Sequence, residues 1–289
     1  MAQDIKQTAE HCEACQRMKP HNQKEMLRQH SNGQSPWAKV GIDLFELDGR
    51  QYLVTVDYFS SFIEVDYLTS TTAKDVIIKL EVHFARYGIP SEIVSDQDPQ
   101  FTSTQFHSMV NKWGIVHTMS SPGHHQSSGK TEAVVKTVKH MMYKCLQDGT
   151  DVYEALLELR NTPQQDTGLS PTQMTFGRLT RTRLPAVTNR PVNKKQLAMA
   201  QKRRTRRQQT VRQSYNRRAR DLVPLHTGQP VYYQHLEGQR WRKGTVQSKK
   251  NERSYIIEGD TCGVYQRNRV HIRPTCIRNV SEPQDQTSD

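Results

Sequence analysis

The chain has 289 residues, enough for about two domains, and its 34% hydrophobic content and mean hydropathy of -0.82 go with apolar runs no longer than Val76-Ile77-Ile78. Such runs fall far short of the roughly 18 residues a membrane span requires. Five scattered cysteines exclude a dense disulfide scaffold, and the opening residues lack the apolar stretch of a secretory signal. The net charge of +12 is unevenly placed: +1 in residues 1-36, -3 in 37-185 and +14 in 186-289. A basic end on a nearly neutral middle points to a polyanion partner, nucleic acid ahead of an anionic membrane surface.

Residues 1-36 read as a small polar lead-in and linker, closed by Ser31-Asn32-Gly33-Gln34-Ser35-Pro36. Three β-type runs follow, Lys39 to Phe45, Gln51 to Tyr58 and Phe62 to Leu68, joined by turns at Leu47-Asp48-Gly49-Arg50 and Ser60-Ser61. This predicts a meander of three antiparallel strands. Thr72 then caps a helix whose apolar positions Val76, Ile77, Leu80 and Phe84 recur at helical spacing until Gly88 and Pro90. A short strand at Glu92-Ile93-Val94-Ser95 comes next. Thr102 to Trp113 reads as a helix, Ile115 to Met119 as a fifth strand, and Ser127 to Leu146 as a long helix with Val134, Val138, Met141 and Cys145 on one stripe. Shorter helices are predicted over 151-160 and 170-176. The order βββαβαβα predicts an α/β core with one mixed five-stranded sheet and flanking helices, spanning 37-180.

Residues 181-221 read as a basic helical linker; within it, Lys202 to Arg220 holds nine basic and no acidic residues and reads as a solvated helix or a disordered linker. Residues 222-275 show short strands at Pro230-Gln234, Trp241-Gln247, Ser254-Glu258 and Gly263-Arg267, which predict a small all-β barrel. Trp241, Tyr232 and Tyr233 suit its core, with base stacking the lesser alternative. Residues 276-289 are a polar tail expected to be disordered.

Three acids stand out by placement. Asp43 lies in mid-strand between Ile42 and Leu44, Asp96 directly follows a strand of parallel type, and Glu132 lies in the first turns of the long helix. The C-terminal end of a parallel strand is where open α/β sheets hold their ligands. Each acid taken alone also has a plain structural explanation: a solubility charge, a turn former and a helix-dipole partner.

Together, Asp43, Asp96 and Glu132, with thirty-five residues between the last two, resemble the D,D(35)E signature of retroviral and retrotransposon integrases. Val94-Ser95-Asp96-Gln97-Asp98-Pro99-Gln100-Phe101, Ser120-Ser121-Pro122 and Gln126-Ser127-Ser128-Gly129-Lys130-Thr131-Glu132 are similar to the segments holding the second and third acids in gypsy-type LTR-retrotransposon integrases. Leu169 to Gly177 resembles that family's end-of-core motif. Tyr255-Ile256-Ile257-Glu258-Gly259 and Arg267 to Pro274 resemble its terminal barrel.

The resemblance implies an RNase H-like core and an SH3-like or chromo-like barrel. It further implies an integrase that cuts near 3' DNA ends and transfers the freed hydroxyl to target DNA, with Asp43, Asp96 and Glu132 holding two Mg²⁺ or Mn²⁺ ions. Lys130, Lys136, Lys139, Arg203, Arg204, Arg206, Arg207, Arg217, Arg218, Arg267 and Arg269 are the expected DNA contacts. His124-His125 are expected to be active-site loop residues and not ligands. Cys12-Glu13-Ala14-Cys15 resembles half of the family's zinc module; the two upstream histidines are absent, so zinc at Cys12 and Cys15 is not expected. Expected partners are the element's double-stranded ends, target DNA, further copies of the chain and chromatin, with no membrane. The expected location is the nucleus after cytoplasmic synthesis, with Lys202-Arg203-Arg204-Thr205-Arg206-Arg207 as a nuclear import signal. Two other readings stay open: a domesticated, catalytically silent DNA- or chromatin-binding protein, and an RNase H-like nuclease.

Overall fold

The computed structural model of the chain describes residues 3-5, 8, 12-18, 20, 22-27, 32-119, 129-183, 191-235, 240-260 and 263-275. It divides into two compact units, Met26–Arg218 and Met1–Glu25 with Ala219–Asp289. The expected polar tail, the loop histidines His124-His125 and the segment Ser120 to Ser128 lie outside the described residues. Among the described residues no helix is long and apolar enough to cross a membrane.

In the larger unit, β1 (Lys39–Leu47), β2 (Arg50–Asp57) and β3 (Ile63–Leu68) form the expected antiparallel meander. Asp48 (φ 52°) and Gly49 (φ 67°) both take left-handed backbone, which matches a two-residue hairpin turn to the twist of its strands. Thr72 caps α1 (Ala73–Tyr87), its side chain accepting from the Asp75 N–H, and Gly88 ends it. β4 (Glu92–Ser95) then adds parallel to β1, and β5 (Val116–Met119) parallel to β4, giving the order β3-β2-β1-β4-β5. The helix expected over 102-113 is two helices, α2 (Pro99–Thr102) and α3 (Thr104–Lys112). Ser103 breaks the run because its side chain accepts from the Phe106 N–H, making it a cap instead of an interior residue.

The sheet has two differently covered faces. Val40, Ile42, Leu53, Leu68 and Ile93 pack against Val76, Leu80 and Phe84 of α1 and Phe106, Met109 and Val110 of α3. On the other face Phe45, Val54, Val56 and Ile63 meet Val138 and Met142 of α4 (Gly129–Asp148), with α5 (Val152–Asn161) alongside. α6 (Pro171–Phe176) follows, held by a capping box at Ser170 and Gln173.

The basic stretch is helical, as one of its two readings expected, but it is not a free linker. It forms α7 (Lys194–Asn216), which begins eight residues before the basic run at a capping box of Asn193 and Gln196. α7 belongs to the larger unit because Ala200 packs with Phe59 and Met174, and buried Arg204 pairs with Asp166 at 2.8 Å.

The smaller unit is a five-stranded antiparallel sheet, β6 (Pro230–Gln234), β7 (Trp241–Asn251), β8 (Ser254–Gly259), β9 (Val264–Asn268) and β10 (Ile272–Pro274), in the order β10-β6-β7-β8-β9. Leu225, Val231, Tyr233, Val246, Tyr255, Ile257 and Ile272 form its core. Tyr232 and Trp241 are also buried, the latter under the Arg273 guanidinium at 4.3 Å from its ring centre. Residues 1-36, expected as one lead-in, are divided between the units. Asn22 donates its amide to the carbonyls of Val270 and Ile272 at 2.8 and 2.9 Å, and buried Glu25 pairs with Arg253, so the segment up to Glu25 is tied to the sheet.

Candidate active site

β1 alternates its side chains across the sheet. Val40 and Ile42 enter the α1/α3 core, whereas Gly41, Asp43 and Phe45 face α4. Asp43 pairs across the meander with Val54, which lies in that second cluster. β4 meets β1 with Gly41 opposite Val94. Two residues further along each chain stand Asp43, still within β1, and Asp96, past the end of β4. Asp96 lies just beyond the end of β4, where its Oδ1 accepts from the Asp98 N–H at 3.0 Å and closes a local turn.

Gly41 brings in the third acid. A Cβ at this position would stand 2.3 Å from Thr131 Oγ1 and 2.9 Å from the Tyr58 ring, so only glycine lets the first turn of α4 close onto β1. Thr131 is fully buried there, and Glu132 is the next residue along α4. The electrostatics report the same convergence. The Asp43 carboxyl is pushed up to about 7, first by burial and then by the charge of Asp96, with Asp98 and Glu132 adding to it. The Leu44 N–H, donating to Asp43 Oδ1 at 2.8 Å, works in the opposite direction.

Asp98 was not among the acids singled out from the sequence, although the Asp-x-Asp spacing at 96-98 was visible there. Ser95 was likewise passed over. Its hydroxyl donates to the Asp96 carbonyl at 2.8 Å and stands 2.8 Å from His117 Nε2 on β5, holding the backbone beneath the second acid. Burial drives His117 down to about 4, so the ring is neutral at physiological pH.

Among the described residues no three His, Cys, Asp or Glu side chains are gathered closely enough to hold a metal ion. Asp96, Asp98 and Glu132 nevertheless each act on the charge of Asp43, and carboxylate oxygens are the donor type that hard divalent cations take. Burial is the main cause of the raised Asp43 value, and the neighbouring carboxylates add to it. At the other end of the chain Cys12 is half-buried and Cys15 exposed, and neither is in a disulfide. Hydrogen bonds from Cys15 lower the Cys12 thiol.

The expected DNA contacts separate into two groups. Lys136 on α4 and Arg203, Arg206, Arg207, Arg217 and Arg218 on or just beyond α7 are exposed. Lys139 is half-buried over the Phe45 ring at 5.6 Å. The remaining four bond to other parts of the chain. Lys130 donates to the carbonyls of Tyr58 at 2.5 Å and Asp57 at 3.3 Å, and burial lowers it to about 7. Arg204 bonds the Phe59 carbonyl and Asp166. Arg267 donates to the carbonyls of Gln234, Gln266 and His235, and buried Arg269 to those of Val223 and Ile272. Sequence counts these four as surface charge because it does not show which carbonyls lack an in-strand or in-helix partner.

A mixed five-stranded sheet of this order with flanking helices matches the RNase H-like fold of an integrase core, and the five-stranded antiparallel sheet of the smaller unit is consistent with an SH3-like domain. Residues 34–125 match the family described as the integrase core domain. An uncharacterized protein of Caenorhabditis elegans is 28% identical over 282 residues, covering 93% of this chain and 22% of that protein. The Gag-Pol polyprotein of walleye dermal sarcoma virus is 30% identical over 178 residues, covering 58% of this chain and 10% of the polyprotein. The chain thus spans about a fifth and a tenth of the length of these relatives. A chain in the cryo-EM structure of the simian T-cell lymphotropic virus intasome in complex with the PP2A regulatory subunit B56 gamma shares the fold, with a TM-score of 0.63 and 18% identity over 96% of this chain and 92% of that one.

Proposed function

We propose that the chain is the integrase of a gypsy-like LTR retrotransposon, cutting near the 3' ends of the element's DNA and joining them to target DNA. What supports this reading is that Asp96, just past the carboxyl end of a parallel strand, Asp98 and Glu132 all act on the charge of Asp43 in a chain whose residues 34–125 match the integrase core domain. Asp43, Asp96 and Glu132 would hold Mg²⁺ or Mn²⁺. When bound, such ions supply charge neutralisation and an activated oxygen for in-line phosphoryl displacement.

The chain's own residues supply position. Asp43 is fixed by its strand, Asp96 by Ser95 and the Asp98 N–H, and Glu132 by the closure of α4 on Gly41. Exposed Lys136 and the exposed arginines of α7 would bind phosphates in a salt-sensitive, sequence-blind way. Double-stranded DNA, further copies of the chain, chromatin and a nuclear site of action belong to this reading.

The test is a strand-transfer assay with Mg²⁺ or Mn²⁺ on short duplexes carrying candidate element ends. Metal-dependent joined product that disappears in Glu132→Gln is the expected result. DNA binding without any cleavage or joining, in either metal, would favour the silent DNA-binding protein; cleavage without joining would favour the nuclease.

A further inference from the structure

The turn between β2 and β3 is held from two helices that are far apart in the chain. Asp57 ends β2, and its carboxylate accepts from the N–H groups of Phe59 and Ser60 at 3.1 and 2.9 Å and from Ser60 Oγ at 2.5 Å. The loop is therefore rigid from within, and every residue from Tyr58 to Phe62 is buried. Its carbonyls are taken by cations. Lys130, in the first turn of α4 and two residues before Glu132, donates to those of Asp57 and Tyr58. Arg204 of α7 donates Nη1 to that of Phe59 while its Nε pairs with Asp166 at 2.8 Å. The Arg204 side chain is only 7% exposed. Phe59 itself packs against Ala200 of α7 and Met174 of α6, so the same turn receives α7 through both a polar and an apolar contact.

We infer that Arg204 is a positioning residue for the active site: by bracing the Asp57-Phe59 carbonyls it fixes the seat of Lys130 and so the place of Glu132. The inference rests on Glu132 being a metal ligand as proposed above. Buried charge-assisted hydrogen bonds to carbonyls are directional and leave a large penalty when one partner is removed. The turn that loses Arg204 has an unmatched Phe59 carbonyl, Asp166 loses its cation, and α4 loses the rigidity of the surface it leans on. One arginine of the basic helix therefore serves the catalytic geometry, while Arg203, Arg206 and Arg207 around it are exposed.

The test uses the full chain in four variants. Arg204→Gln should lower joining by roughly 10- to 100-fold, the scale of a small misplacement of reacting groups, and raise the Mg²⁺ concentration giving half-maximal rate. It should also speed hydrogen exchange of the amides in the first two turns of α4. Arg204→Lys, which keeps a charge able to reach a single acceptor, should recover part of both. Asp166→Asn should shift the metal midpoint in the same direction by less. Arg206→Gln with Arg207→Gln should flatten the salt dependence of DNA binding and leave the metal midpoint and α4 exchange unchanged. If Arg204→Gln fails to fold, the Lys and Asn variants decide. Wild-type metal midpoints and α4 exchange in folded Arg204 variants would overturn the inference. An inactive wild type would overturn the proposed function alone, since the exchange measurement still reads whether Arg204 holds α4.

Discussion

The two faces of the core sheet are built by the same strands and differ in kind. On the α1/α3 face, Val40 and Ile42 of β1 sit in an apolar layer with Leu80, Phe84, Phe101 and Phe106, and packing alone explains them. On the α4 face the corresponding column of β1 is Gly41, Asp43 and Phe45, in which an absent side chain and a charge interrupt the apolar layer. The first face stabilises the fold, and the second gives up part of its packing at Gly41, where Thr131 in the first turn of α4 closes on β1. A local breach of the apolar alternation in a central strand is thus the mark of the site.

Substitutions on the two faces should separate activity from stability. Glu132→Gln and Asp43→Asn should reduce metal-dependent joining to the detection limit while leaving DNA affinity within about twofold, checked by strand transfer and by fluorescence anisotropy. If Asp43→Asn turns over normally, the α4 face is not the site. On the opposite face, Phe106→Ala should lower stability by about 3 to 5 kcal/mol through the cavity it leaves. The Mg²⁺ midpoint of the remaining folded protein should stay in place, as followed by urea unfolding and a metal titration below the melting range.

Gly41→Ala should cost about 1 to 3 kcal/mol as an overpacking change, because its Cβ would meet Thr131 and Tyr58. Unlike Phe106→Ala, it should also impair joining, since the strain is relieved by moving α4 away. Equal loss of stability with intact activity would show that Glu132 does not depend on this contact.

A smaller effect concerns pH. The Asp43 carboxyl titrates near 7 in the fold against about 3.9 in an unfolded chain. A raised folded value means that this group favours the folded state below about pH 4, and that its contribution is lost as pH rises toward 7. Asp43→Asn should therefore melt close to wild type at pH 4 and above it at pH 8 in the presence of chelator, and Mg²⁺ should narrow that gap for wild type. Equal melting differences at both pH values would contradict the raised value. The smallest effect is expected of Ile42→Val, about 0.5 to 1.5 kcal/mol with unchanged activity.

Much of this was legible in the chain. The Asp48-Gly49 turn, the Thr72 and Gly88 ends of α1 and the stripe on α4 are local signals, because capping and turn chemistry act over a few residues and periodicity over one face. Asp43, Asp96 and Glu132 were legible through spacing and through the family resemblance of their flanking words. Ser103 was misread as helix interior because its side chain can serve a helix from inside or begin the next one, and the competition is settled by geometry.

What the sequence by itself determined was the elements and their order, since each of these depends on residues close together in the chain or on a spacing along it. Tertiary structure alone decided how the charges are used. Lys130, Arg204, Arg267 and Arg269 read as surface cations until the fold sets them against carbonyls of remote segments, and Gly41 reads as a weak strand residue until Thr131 is packed on it. The physical reason is that a buried carbonyl needs a donor wherever the fold leaves it without one. Which carbonyls those are depends on which distant segments the packed core brings together.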